Sequence, residues 1–456
     1  MSDYQLIVIG AGPGGYVSAL RAAKLGMKTA VVENRDVGGT CLNRGCIPTK
    51  ALLHTAEIYT QAKEGEKFGV HAQDLSIDFA TAHRRKADVT EKLRLGIEGL
   101  FKQKKVDLIR GTGTIVEPGK VSVNDETYTA DNILIATGSI PARPPIPGLE
   151  LAVTSDELLE GEGKLFSSLV IIGGGVIGVE LASVYSAMGC EVTILEAMDR
   201  ILPNMDREIC QNLTMILKKR GVKVFPGSMV SAVEKAEDGS LAVRYTCKDQ
   251  PGEARGEAVL CAIGRRPNTA GLFGEGFSLD MERGRILTDE HYQTSVPGIY
   301  AVGDVTAKVQ LAHVASAQGT DCVELLAGNE PVIDGRYIPS CIYTDPEIAA
   351  VGITADEAKA QGRAVKVGKC LMSANGKTVI ADGERGFMKI VADADTGVIL
   401  GAQLMCQRAT DMITQVTTAV VNGMTAQQLL SAMRPHPTFE EAMGDALEDL
   451  CGKLKA

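Results

Sequence analysis

Two stretches of this chain carry the same pattern of strand, glycine turn, helix and strand, and that duplication constrains the fold more than any other feature. Residues 4–33 read YQLIVIGAGPGGYVSALRAAKLGMKTAVVE, and residues 169–196 read LVIIGGGVIGVELASVYSAMGCEVTILE. Gly10, Gly12 and Gly15 spell G-x-G-x-x-G, and Gly173, Gly175 and Gly178 repeat it 163 residues later. At the same offset Gly26 falls on Gly189 and Glu33 on Glu196. In the first unit Gln5–Ile9 predicts a strand, Gly14–Leu25 an amphipathic helix, and Gly26 its end. One such motif is weak. Two, each between strands and each with an acid about 20 residues past the glycines, predict two dinucleotide sites. The rival reading is a pair of tight turns in an α/β fold that binds no phosphate.

The chemistry accounts for the glycines. The first permits the sharp turn, the second lets a pyrophosphate approach the backbone, and the third lets helix pack on strand. Free N–H groups and the positive dipole end at the helix N-terminus then face the phosphates. Glu33 and Glu196 suit the two hydroxyls of an unmodified ribose and would repel a 2′-phosphate.

The remaining chain is ordinary for a protein with large cores. Its 456 residues suggest about three domains. Hydrophobic residues make up 45% and charged ones 23%, which excludes a wholly disordered chain. A net charge of −10 without a basic block argues against a nucleic-acid binder. The most apolar stretch, residues 169–190, contains five glycines and Glu180 and makes a poor bilayer helix. The opening MSDYQLIVIG has an acid and no basic region, so it is not expected to be a signal peptide.

Of eleven cysteines only Cys41 and Cys46 fall close together, within GGTCLNRGCIPTKALL at 38–53. That is no secreted disulfide framework, and a reducing cytoplasm is the expected setting. The preceding glycines put Cys41 near a helix N-terminus, where the dipole lowers a thiol pKa. In a helical segment the pair needs slight distortion to meet. Two core cysteines or a metal site are the rivals, but zinc ligands usually come with a second pair nearby, and none is there; no metal site is expected. The position just after a dinucleotide unit favours a redox pair. Farther on, ATGSIPARPPIPG at 136–148 reads as a linker, and residues 294–304 as a strand delivering Gly303 and Asp304. Residues 386–406 read as a hairpin around Asp395–Gly397, in a third, α+β region without a nucleotide fingerprint.

Taken together, GAGPGG (10–15), GGTCLNRGCIPTKALL (38–53), ATG (136–138), GGGVIGVE (173–180), AIGRRPN (262–268), AVGD (301–304), LAHVASAQG (311–319), YTDPEIAAVG (343–352) and HPTFEE (436–441) run over nearly the whole chain. In that order they resemble the flavin-dependent pyridine nucleotide–disulfide oxidoreductases, and within them the dihydrolipoyl dehydrogenase branch. The resemblance implies an α/β fold of two Rossmann-like domains, for FAD and NAD, plus a C-terminal α+β dimerisation domain. It divides the chain into 1–143 with 272–340 for FAD, 144–271 for NAD, and 341–456 for dimerisation.

It also implies roles. FAD would lie on Gly10, Gly12, Gly15 and Glu33, with Thr40, Lys50, Gly113, Thr137, Gly138, Asp304 and Ala312 around it. NAD would lie on Gly173, Gly175, Gly178 and Glu196, with Glu180, Val230 and Gly264. Cys41 would be the interchange thiol and Cys46 the thiol facing the flavin. His436 would be the acid–base, oriented by Glu441 and acting in the other subunit of a homodimer. Each has a plainer rival: Lys50 on a solvated helix face, Asp304 as a turn residue. Thr438 and Glu441 also spell T-x-x-E, a capping box, so two roles compete for one carboxylate. His313 reads as structural. IPTK replaces the commoner IPSK. Arg434 stands where a second histidine is common, and would alter charge at the disulfide entrance.

The implied reaction is oxidation of dihydrolipoyl groups on a carrier of a 2-oxoacid dehydrogenase or glycine-cleavage system, with electrons passing to NAD⁺. An NAD(P)H-dependent disulfide reductase is the rival within the family, opposed by Glu196. A redox-inactive flavin-binding subunit is the rival outside it, opposed by the intact cysteine pair. Neither a membrane nor a nucleic acid is an expected partner.

Overall fold

The computed structural model describes residues 2–161, 163–383 and 385–455. Three sheets organise it. The first has the order Asp107–Arg110, Thr29–Glu33, Tyr4–Ile9, Glu126–Ile135, Lys120–Val123, Thr114–Glu117, and Ile299–Ala301 also pairs with Glu126–Ile135. The inner strands are parallel and buried on both faces, which is why Leu6–Ile9 and Ala30–Val32 are continuous apolar runs. The second sheet is parallel throughout, in the order Lys223–Pro226, Glu191–Glu196, Ser168–Ile172, Ala258–Cys261, Val153–Thr154. A three-stranded antiparallel sheet over 228–256 is inserted in the chain between its strands Lys223–Pro226 and Ala258–Cys261. The third large sheet is antiparallel and spans Ser340–Cys406. Its hairpin turns at Asp395–Gly397, between Phe387–Asp393 and Ile399–Cys406, as the sequence predicts.

Six helices position the site: α1 (Pro13–Lys24), α2 (Gly39–Arg44), α3 (Cys46–Lys63), α4 (Phe79–Lys104), α5 (Ser155–Glu160) and α6 (Val176–Ala187). Helix α1 starts at a proline, whose missing N–H costs nothing in a first turn. Leu25 and Gly26 end it within a residue of the predicted boundary. Helix α6 is apolar nearly all round and buries Val179, Leu181, Ala182, Val184 and Tyr185 in the largest core cluster. That cluster also takes Leu52 and Ala56 of α3, so the helix that starts at Cys46 is packed directly on the second glycine-turn unit.

Candidate active site

Both glycine turns adopt one geometry. Gly12 caps α1 with φ −72° and ψ −175°, and Gly175 caps α6 with φ −73° and ψ −174°. Gly10 and Gly173 hold φ of 101° and 112°, which side-chain-bearing residues rarely adopt. A Cβ on Gly10 would also sit 2.5 Å from the Ala136 carbonyl oxygen. A Cβ on Gly15 would strike the Gly10 carbonyl, and one on Gly178 the Gly173 carbonyl. Glu33 accepts the Ala11 N–H at 2.7 Å and the Arg35 N–H at 2.8 Å. Glu196 accepts the Gly174 N–H at 2.6 Å and the Met198 N–H at 2.7 Å. Each carboxylate is thus held by backbone donors and keeps lone pairs for further hydroxyls.

A single cavity of about 1350 Å³ joins the two turns. Its wall includes Gly10, Gly12 and Glu33 on one side, and Gly173, Gly175 and Glu196 on the other. Thr40, Gly113, Thr137, Gly138, Asp304 and Ala312 line it, as do Glu180, Val230 and Gly264. Gly15 and Gly178 do not; they serve helix packing. The space exceeds an ordinary single-ligand pocket. Open helix N-termini, glycine floors and two fixed acids fit two dinucleotides.

Cys41 and Cys46 are joined in a disulfide, with Cα atoms 4.6 Å apart, and both line this cavity. The expected slight distortion is a full break. Helix α2 stops at Arg44, Gly45 takes φ −141° and ψ −105°, and α3 begins at Cys46. Residues five apart on one helix point in different directions, and the break turns them together. Cys41 lies in the first turn of α2, as predicted.

One turn beyond Cys46, Lys50 pairs with the buried Glu180 of α6 at 2.8 Å. Tyr343 completes this contact. Its N–H donates to Glu180 at 3.0 Å, and Lys50 sits 4.4 Å from its ring centre. Asp304 accepts a 2.6 Å hydrogen bond from Ser139. Burial raises the Asp304 pKa, against that hydrogen bond and the charge of Arg265. Sequence reasoning gave Tyr343, Ser139 and Arg265 no role. The motifs that contain Tyr343 and Arg265 were the available signal. The His313 ring nitrogen meets the Pro339 carbonyl at 2.9 Å, a structural contact, at the cavity wall.

The comparisons with known proteins agree with this geometry. Residues 4–319 match the pyridine nucleotide-disulphide oxidoreductase domain, and residues 338–447 match the dimerisation domain of the same group. The chain belongs to the pyridine nucleotide-disulphide oxidoreductase family. It is 41% identical to a dihydrolipoyl dehydrogenase of Bacillus subtilis, with 99% of each chain covered. It is also 41% identical to that of Thermus scotoductus, covering 99% of this chain and 98% of the relative. A solved HOCl-induced flavoprotein disulfide reductase of Escherichia coli superposes with a TM-score of 0.86 at 30% identity, covering 98% and 99%. The chain is a flavoprotein disulfide oxidoreductase, and its cofactors are FAD and NAD. The dimerisation domain makes it a homodimer. Among the described residues no helix is long and apolar enough to cross a membrane.

His436 and Glu441 lie in the dimerisation domain and are absent from the cavity wall of their own chain. The His436 side chain is 79% exposed, and its Nδ1 meets Glu441 Oε1 at 2.8 Å. Glu441 Oε2 accepts the Thr438 N–H at 2.9 Å. The expected competition for this carboxylate is therefore resolved: each oxygen serves one partner. The capping box is only half formed: Glu441 takes the Thr438 N–H, but the helix starts at Glu441 itself, so Thr438 is not its N-cap, and the Thr438 hydroxyl donates to the Pro435 carbonyl at 2.8 Å. The Thr438 N–H first, and His436 second, hold the Glu441 pKa below its usual range. Arg434 is turned into its own domain, with its guanidinium on the carbonyls of Ala432 and Leu429.

Proposed function

We propose that this protein oxidises dihydrolipoyl groups on a carrier protein to lipoyl, with NAD⁺ as the final acceptor. The observation that carries this reading is the Cys41–Cys46 disulfide in the wall of a cavity shared by two dinucleotide cradles. Relatives named dihydrolipoyl dehydrogenase, matched over nearly the whole chain, support the substrate.

A thiolate of the substrate attacks Cys41, the Cys41–Cys46 bond breaks, and Cys46 departs as a thiolate. The second substrate thiol displaces Cys41 and closes the lipoyl ring. His436 takes the thiol proton, and Glu441 fixes its tautomer and stabilises the imidazolium. Its exposure and its distance from its own cavity support delivery to the disulfide of the partner subunit. FAD supplies the two-electron link between the enzyme dithiol and NAD⁺. Gly10, Gly12 and Glu33 would hold its adenosine and pyrophosphate end, with Gly15 letting the helix pack on the turn. Thr40, Lys50, Gly113, Thr137, Gly138, Asp304 and Ala312 would surround the rest. Gly173, Gly175, Glu180, Glu196, Val230 and Gly264 would hold NAD, with Gly178 in the packing role of Gly15.

The FAD domain comprises 1–143 and 272–340, a discontinuity supported by the strand Ile299–Ala301 pairing with Glu126–Ile135. The NAD domain spans 144–271 and the dimerisation domain 341–456. The protein works in the cytoplasm with a lipoylated carrier of a 2-oxoacid dehydrogenase or glycine-cleavage system. Anaerobic addition of dihydrolipoamide should bleach the yellow protein and yield NADH when NAD⁺ is present. No bleaching by dihydrolipoamide, with rapid bleaching by NADPH, would replace this reading with a disulfide reductase.

A further inference from the structure

Helix α5 carries none of the residues assigned above, yet each of its three acids holds an arginine from a different element. Asp156 pairs with Arg265 at 3.1 Å, Glu157 with Arg143 at 2.6 Å, and Glu160 with Arg44 at 2.7 Å. Arg44 stands between the two cysteines in sequence and its side chain is 6% exposed; a second nitrogen meets Asp36 at 2.7 Å. Arg265 donates to the Ser139 hydroxyl at 2.9 Å and to the Ser139 carbonyl at 2.8 Å. The Ser139 hydroxyl in turn donates to Asp304 at 2.6 Å. One chain of contacts therefore runs from α5 to the disulfide loop and another to Asp304. The third, through Arg143, ends on the Leu149 carbonyl and reaches neither.

We propose that α5 is a clasp whose partners Arg44 and Arg265 are positioning residues, the first for the disulfide and the second for Asp304. The inference rests on the roles given above to the disulfide and to Asp304. The physical case is charge balance at a buried guanidinium. Arg44 is 6% exposed and balanced by two carboxylates, so removing either side changes the local charge by one, even though Glu160 also meets Arg35 at 2.7 Å and Asp36 meets Arg94 at 3.9 Å. Reducing the disulfide creates thiol and thiolate in the segment that carries Arg44, two residues before Cys46. Without Arg44, Asp36 and Glu160 oppose that negative charge. Without Glu160, Arg44 favours it. Asp304, disfavoured as an anion by burial, is held in place by the Ser139 hydroxyl, and Arg265 grips Ser139 at that hydroxyl and at its carbonyl.

The test compares holoenzyme variants Arg44→Met, Glu160→Gln, Arg265→Met and Arg143→Met. The disulfide is equilibrated with dithiothreitol, which gives up two electrons and two protons and closes to its cyclic disulfide; thiols are then counted. FAD release is followed by its fluorescence. Arg44→Met should make reduction about tenfold harder, and Glu160→Gln should make it easier by a few-fold, about one pKa unit's worth of charge interaction or less. Opposite signs are not what a merely structural role gives. Arg265→Met should release FAD about tenfold faster, whereas Arg143→Met, which loses the more exposed ion pair of the same helix, should change neither reading by more than about twofold. Ser139→Ala keeps the Arg265–Asp156 pair but cuts the link to Asp304, and should also speed FAD release if Arg265→Met fails to fold. The clasp is overturned if Arg44→Met and Glu160→Gln shift the equilibrium in the same direction, or if Arg265→Met and Ser139→Ala both release FAD at the Arg143→Met rate. An unmodified protein that binds no FAD, or has no reducible disulfide, would instead overturn the functional reading beneath it.

Discussion

The two glycine-turn units share a backbone and diverge in the chain just past the acid. In the first, Gly38 donates its N–H to the Ala11 carbonyl at 2.8 Å; in the second, Leu202 donates to Gly174 at 2.9 Å. Both donors hold positive φ, 95° for Gly38 and 49° for Leu202. After Gly38 the chain enters α2 and the disulfide. After Leu202 it runs through a loop to the helix Arg207–Lys219. The helices differ too: Glu180 in α6 occupies the position of Val17 in α1, and it reaches Lys50. Two like cradles thus differ through the segment after the acid, which carries the disulfide in one only, and through one acid in the helix of the other.

The largest expected effect breaks the redox side alone. Cys46→Ser should retain about one FAD per chain and abolish dihydrolipoamide turnover, because no second sulfur remains to close or open the disulfide. Turnover like that of the unmodified protein would remove the cysteine pair from the reaction. His436→Gln should lower dithiol oxidation by about 10²–10⁴-fold while the flavin still reacts with NADH. Mixing inactive Cys46→Ser and His436→Gln subunits should restore activity, since a heterodimer has one site with both residues intact. No recovery from verified heterodimers would confine the histidine to its own chain.

A milder change separates the cradles by their acids. Glu196→Arg should narrow or reverse the preference for NAD over NADP, because a fixed carboxylate repels a 2′-phosphate and a guanidinium attracts it. The matching change Glu33→Arg should weaken FAD retention without altering that preference. Steady-state rates with both nicotinamides, and flavin content after gel filtration, read the two outcomes. Equal use of NAD and NADP by the unmodified protein would remove Glu196 from cofactor choice.

The cradles were legible in the sequence because glycine spacing encodes backbone geometry directly. Gly10 and Gly173 must hold a positive φ, and Gly15 and Gly178 must let carbonyls pass. The break at Gly45 was not legible, since CLNRGC contains only one glycine and its conformation is set by the residues packed around it. Contacts such as Lys50 with Glu180, 130 residues apart, leave no local period. From the residues alone Lys50 had only a solvated face, and the family resemblance placed Lys50 at the FAD and Glu180 at the NAD. The pairing of arginines with α5 carried no signal, because ion pairs between distant elements follow no spacing, although Arg44 and Arg265 lie in recognisable motifs. For Glu441 the sequence named both partners but treated a carboxylate as one acceptor, when its two oxygens act separately.

The smallest expected effect tests how the cradles were made alike with different side chains. At the position of Ala11 the second unit has Gly174, where a Cβ would lie 2.7 Å from Ile201 Cγ2 and 3.1 Å from Glu196 Cβ. Ala11 is tolerated in the first unit, where it shares a fully buried cluster with the smaller Val37. Gly174→Ala should therefore overpack, destabilise by about 1–3 kcal/mol and weaken NAD binding through displacement of Glu196. Ile201→Leu removes the Cγ2 methyl at nearly constant volume and alone should cost less than about 1.5 kcal/mol. Together they should cost less than the sum, because the methyl added at 174 fills space given up at 201. Denaturant melts of the four proteins complete the cycle. Additive losses would mean that Gly174 is required by the approach of the ligand to its backbone, not by Ile201.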